Sequence, residues 1–131
     1  MIDQSIRSLG RRILHDVSPL GGWSVRTEGH AWPVGDAPDP RCDVVILLGF
    51  EGRRTILTLE FFLDRDYPAQ AIDALNQLQD VVVETSLQPW PSCPSHSHVM
   101  VPMWVTSDCF WVCPADSTIA IRVGDWPVAE S

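Results

Sequence analysis

The stretch Trp90–Pro114, WPSCPSHSHVMVPMWVTSDCFWVCP, holds three of the four cysteines and two of the four histidines of the chain. Cys93-Pro94-Ser95-His96 has the spacing of a metal-binding knuckle, and Cys113-Pro114-Ala115-Asp116 repeats it with Asp in the fourth position. In a zinc ribbon, two such tight turns stand at the ends of short strands, and each aims two side chains at one ion. Cys sulfur, His nitrogen and carboxylate oxygen are all donors that tetrahedral zinc accepts. Between and beyond the knuckles, VMVPMWV (99–105), CFWVC (109–113) and TIAIRVG (118–124) read as strands. Thr106-Ser107-Asp108 and Ala115-Asp116-Ser117 supply the turns, which predicts a three-stranded meander. Residues 89–126 therefore form a zinc-ribbon-like subregion.

Cys93, His96 and Cys113 are three ligands of that site, and the fourth has three candidates. His98 stands two residues after His96, on the same side of an extended segment. Asp116 fits the symmetry of the knuckles, and Cys109 is the softest donor. They rank in that order, so Cys93, His96, His98 and Cys113 are the predicted metal set and zinc the predicted ion. Cys42 lies within an apolar strand and is expected to be a core residue. The start, MIDQSIRSLGRR, shows no apolar core followed by a small-residue cleavage site. Reduced thiols and a cytoplasmic location are the corresponding expectations, with metal ligation favoured over disulfides.

Upstream of this stretch, Ile2, Ile6, Leu9, Ile13, Leu14 and Val17 recur at helical spacing, with Arg7, Arg11 and Arg12 largely off the stripe. They predict an amphipathic helix over 3–17, ended by Ser18-Pro19 and Gly21-Gly22. Residues 18–41 are rich in Gly and Pro and read as loop, with a short strand from Trp23 to Thr27. Trp32, beside Pro33, is expected to plug the core. CDVVILLGF (42–50) is apolar on both faces, as a central strand is, and RTILTLEFFL (54–63) returns after a Glu51-Gly52 turn. Leu57, Leu59, Phe61 and Leu63 share one face of that second strand. Glu60, among apolar neighbours on the other face, is the carboxylate to weigh as an acid or base, although ion pairing is the commoner use. Asp66 is placed to cap a helix entered through Pro68 and running to about Thr85.

The 131 residues suit one domain with a hydrophobic core, and no apolar run approaches the length of a membrane span. A net charge of −8 argues against broad binding to nucleic acid or anionic lipid, leaving only a local patch such as Arg53-Arg54. All nine basic residues are arginines, which excludes a Schiff-base lysine and the P-loop lysine. HExxH, GxSxG, GxGxxG and the deaminase signatures are absent. The fold class expected is α+β: a small antiparallel sheet, two helices and the zinc-ribbon-like meander.

LEFFLDRDYP (59–68) resembles the strand-then-Tyr-Pro passage of ubiquitin-conjugating enzymes, but an HPN-type motif with a following cysteine nucleophile is missing. Trp90, Pro91, Cys93, Pro94, His96 and His98, with Trp111, Val112, Cys113 and Pro114, resemble the WPxCPxHxH…WVCP pattern of a loose group of small uncharacterised actinobacterial proteins. That resemblance covers roughly the last third of the chain and implies a compact fold without a particular activity. The function expected is therefore a non-enzymatic interaction or accessory protein with a structural zinc, its partner another protein. Trp90, Trp104 and Trp111 would partly pack around the metal and partly face that partner. The alternative is a small metal-dependent hydrolase with an open zinc position.

Overall fold

The apolar stripe of the N-terminal segment forms a helix because its residues return to one face every three or four positions. In the computed structural model, helix α1 spans Ile2–Val17, and Ile6, Leu9, Ile13 and Val17 on that stripe are fully buried. Each contributes about 1.5–3 kcal/mol of burial. The structure describes residues 2–29, 42–52, 54–96 and 98–126, so Trp32 and Arg53 lie outside the described residues. After a 3-10 turn at Ser18–Leu20 come β1 (Trp23–Gly29), β2 (Val44–Phe50) and β3 (Thr55–Phe61). They pair antiparallel in the order β1-β2-β3. The two-faced apolar pattern of β2 is explained by its central place. Val44, Ile46 and Leu48 join α1 in the main core, while Val45, Leu47 and Cys42 form a small cluster with Phe62 on the other face. Glu60 is opposite Val45, on the face of β3 turned away from the main core.

Helix α2, Tyr67–Ser86, begins as its sequence dictates: the Asp66 carboxylate accepts from the Ala69 N–H at 3.2 Å, and Pro68 sits in the first turn. Ala71, Ala74, Leu75, Leu78 and Val82 are its buried face. That face packs against β3 and also against the next strands, β4 (Val101–Val105) and β5 (Asp108–Val112), so α2 bridges two sheets. The second sheet is the expected meander, β4-β5-β6, completed by β6 (Ala120–Arg122). The architecture is α+β, as expected: two helices and two three-stranded antiparallel sheets, the second built by the meander. A single set of buried side chains runs through both, from Ile6 and Ile46 to Trp90, Met100 and Trp111. Among the described residues, no helix is long and apolar enough to cross a membrane.

The end of α1 is stitched to the meander. Arg12 Nη2 donates to Asp108 Oδ1 at 2.9 Å, and buried Asp16 accepts from the indole N–H of Trp111 at 3.0 Å and from Gly124 N–H at 2.7 Å. Gly124 has φ +100°, and a Cβ there would stand 2.6 Å from Arg12 Cγ. Both the left-handed backbone and the contact oppose a side chain. Gly124→Ala is expected to cost about 2–3 kcal/mol, read as a lowered denaturation midpoint. Gly52→Ala, with nothing near its Cβ position, incurs the backbone cost alone and should be milder.

Candidate metal centre

The first knuckle lies in the loop between α2 and β4. Trp90 is buried and meets Trp111 edge-on, with ring centroids 5.3 Å apart, which fixes the loop on the core. Gln79 Nε2 on α2 donates to the carbonyls of Trp90 and Met100, at 3.3 and 2.5 Å. The backbone then folds back on itself: Cys93 N–H donates to His98 O at 3.0 Å and Met100 N–H to Pro91 O at 2.8 Å. Ser92 and Val99 are bridged antiparallel. This tight closure brings His96 and His98 together, with their rings stacked at 4.9 Å.

The second knuckle joins β5 to β6. Cys113 N–H donates to Ile119 O at 2.9 Å, and Ile119 N–H donates to Asp116 O at 3.0 Å. The turn carries Cys113 to the end of β5, facing the first knuckle. His98 Nε2 stands 3.0 Å from Cys113 Sγ, and His96 Nδ1 is 3.3 Å from Cys93 Sγ and 3.4 Å from Cys113 Sγ. The ligand atoms of Cys93, His96, His98 and Cys113 all lie within 4.8 Å of one another. Four side chains from two separate turns converge on one point, and together they can hold a metal ion. The cysteines are buried, His98 is half-buried and His96 is exposed, so the cluster opens at the His96 side.

The electrostatics favour the ligating form of Cys93. Burial raises its thiol, but the Ser95 N–H, the His96 and Cys113 side chains and the His96 N–H outweigh burial and hold it below the ordinary value. A thiolate, not a thiol, is the metal ligand.

The remaining candidates fall away from the cluster. Asp116 turns its carboxylate to Thr118, accepting from the backbone N–H at 3.0 Å and from the hydroxyl at 2.6 Å, and these bonds lower its pKa. It builds the second knuckle and stands outside the four-residue cluster. Cys109 is buried in the core, where Arg12 Nη2 donates to its sulfur at 3.5 Å, and burial pushes its thiol up. Cys42 is the expected core cysteine, its thiol donating to Val44 O at 3.3 Å and likewise raised by burial. The four cysteines are free thiols.

No protein-family model, curated protein or solved structure matches this chain. Gln79, which anchors the metal loop to α2, carried no signal in the sequence, since a half-buried glutamine on a helix looks like any surface residue. His98→Ala is expected to reduce metal content, whereas Asp116→Asn and Cys109→Ala should leave it unchanged. Mass spectrometry of the purified variants checks all three, and loss of metal in Asp116→Asn would return Asp116 to the ligand set.

Proposed function

We propose that this chain is a non-enzymatic interaction or accessory protein whose C-terminal hairpin is held by a structural zinc ion. The observation that carries this is closure by four protein donors: two sulfurs and two imidazole nitrogens within 4.8 Å of one another. In a tetrahedral zinc site, with Zn–S about 2.3 Å and Zn–N about 2.0–2.1 Å, neighbouring donor atoms stand about 3.3–3.8 Å apart. The S···N separations of 3.0 to 3.4 Å need only a small expansion to meet this. Thiolate and imidazole donors also suit zinc far better than the oxygen-seeking calcium or magnesium.

The ribbon-like reading is supported by the two Cys-Pro turns that flank the β4–β5 hairpin. The difference is that the first turn lies in a loop closed by one bridge, without a strand pair of its own. A hydrolase would need one coordination position left to water, so a set already supplied with four donors does not favour that alternative. Free thiols as ligands suit a reducing, cytoplasmic setting.

The expectation for the partner-facing residues changes. Trp90 and Trp111 are buried, so they support the site from below and cannot anchor a partner. Instead Val101, Met103 and Val105, at alternate positions of β4, are 37, 46 and 42 % exposed. Apolar side chains lined up on one exposed face are what a protein-binding surface offers. Zinc would then act by fixing the strand that presents them.

Metal analysis of freshly purified, chelator-free protein tests this. About one zinc per chain is expected, lost in both Cys93→Ser and Cys113→Ser. Metal-free protein would remove the proposal.

A further inference from the structure

The sulfurs of Cys93 and Cys113 come from two different turns, yet one nitrogen touches both. His96 Nδ1 stands 3.3 Å from Cys93 Sγ and 3.4 Å from Cys113 Sγ. All the donor atoms of the cluster lie within 4.8 Å of one another, the two sulfurs included. A disulfide needs an S–S separation of about 2.0 Å. Bringing the sulfurs together therefore takes a closure of less than about 3 Å, shared by two side chains and within reach of a χ1 rotamer change.

The other two cysteines are held elsewhere. Cys42 belongs to the small cluster on the far face of β2, its thiol on Val44 O. Cys109 precedes Cys113 by four residues, about 13 Å along an extended strand, and receives Arg12 on its sulfur. Cys93 and Cys113, by contrast, each lead straight into an exposed turn, Pro94–His96 and Pro114–Asp116. Their sulfurs are buried only to the depth of those turns, on the side where the cluster opens at His96.

On the structural-zinc reading, on which this inference rests, both sulfurs are held as thiolates, the form that reacts with peroxides. A thiolate with a second cysteine beside it is how redox-sensing sites are built. Joining the sulfurs would leave His96 and His98 as donors, fewer than the three or four protein ligands that zinc takes. Two of the four ligands thus carry both the metal and the means of its release.

We infer that Cys93 and Cys113 are a peroxide-responsive dithiol whose oxidation to a disulfide releases the zinc. One thiolate attacks hydrogen peroxide, breaking the O–O bond and forming a sulfenic acid with loss of hydroxide. The other thiolate attacks that sulfur and displaces a second hydroxide as the S–S bond forms. The two sulfurs lose two electrons, the peroxide gains them, and each hydroxide takes a proton from solvent. The disulfide replaces the ion as the link between the knuckles, so the hairpin stays closed while the metal leaves.

The test is metal analysis of the full chain, then one equivalent of hydrogen peroxide, ultrafiltration, thiol counting and peptide mapping. About one zinc per chain should pass into the filtrate, with the four free thiols falling to two and a Cys93–Cys113 bridge in the map. Dithiothreitol with added zinc should reverse the change. Cys109→Ala should release zinc as the wild type does, and the oxidised chain should melt above the reduced, metal-free chain. Zinc kept after peroxide overturns the inference and leaves the structural zinc standing. Zinc lost with sulfinic acid in place of the bridge, or with a disulfide between two chains, does the same. A chain without zinc before peroxide removes the structural zinc and its release together, and the first metal analysis tells that failure from the others.

Discussion

Stripping the metal, by chelation or by Cys113→Ser, is expected to lower the melting temperature by about 10 °C or more. Zinc contributes about 10–16 kcal/mol of apparent binding free energy in zinc-finger peptides that are unfolded without it. Here the core side chains of α1 and β2 lie outside the four-residue cluster, so only part of such a contribution is expected to be at stake. A loss of even about 3 kcal/mol, at about 4 °C per kcal/mol for a chain of this size, gives a shift of that order. The loss should be local. The two knuckles are held by a few backbone hydrogen bonds and, on the structural-zinc proposal, by the ion that would join them. Cys93 and Cys113 are only 4 and 1 % exposed. Either serine substitution therefore removes a soft donor and leaves a hydroxyl in a buried position, without a partner if the ion leaves.

Cys93→Ser and Cys113→Ser should be strongly non-additive, since either alone abolishes a four-ligand site. Re-adding zinc should restore the wild-type melting temperature but not that of the variants. A melting temperature unmoved by chelation would end the structural-zinc proposal, leaving the knuckles held by tryptophan packing alone.

What could be read from the sequence was what is local. The α1 stripe, the 44–61 hairpin, the Asp66 cap and the strands of the meander all follow from periodicity or turn chemistry a few residues apart. So does the proximity of Cys93, His96, His98 and Cys113: alternation in an extended segment puts His96 and His98 side by side, and the Cys-Pro spacing supplies the rest. What escaped was long-range. That α2 bridges the first sheet and the meander is a packing outcome that no periodicity reports. The sequence divides Trp90, Trp104 and Trp111 between packing and a partner face without saying which does which; Trp111 is buried, its indole N–H on Asp16, 95 positions away. Trp104 is half-buried, edge-on to Tyr67, and lines a cleft where α1 meets the meander. Arg7 and Arg11 were visibly off the apolar stripe, but only the fold brings Arg122 and Trp104 to the same cleft.

Asp16→Ala should be the most damaging change away from the cysteines. Asp16 is 1 % exposed, and its carboxylate accepts from Trp111 Nε1, Gly124 N and Trp126 N at 3.0, 2.7 and 3.1 Å. Alanine strands these donors where α1 docks on the meander, at an expected cost of about 3–5 kcal/mol. Asp16→Asn keeps the shape and one acceptor oxygen, so it should cost less and isolates the charge. Burial raises the Asp16 pKa above its ordinary 3.8, outweighing the hydrogen bonds from Gly124, Trp111 and Trp126 that lower it. A raised folded pKa means that the folded chain holds this proton more tightly than the unfolded chain. The stability Asp16 contributes is therefore fully present below 3.8 and declines as pH rises through the raised folded value. Asp108 works in the opposite direction. Its lowered pKa makes its contribution present above the ordinary value and lost as pH falls. Melting temperatures of wild type, Asp16→Asn and Asp108→Asn across the carboxylate range separate the two. The gap between wild type and Asp16→Asn should narrow as pH rises, while that for Asp108→Asn should widen. A gap for Asp16→Asn that widens instead would mean that its three N–H donors, not its burial, govern the charge at this joint.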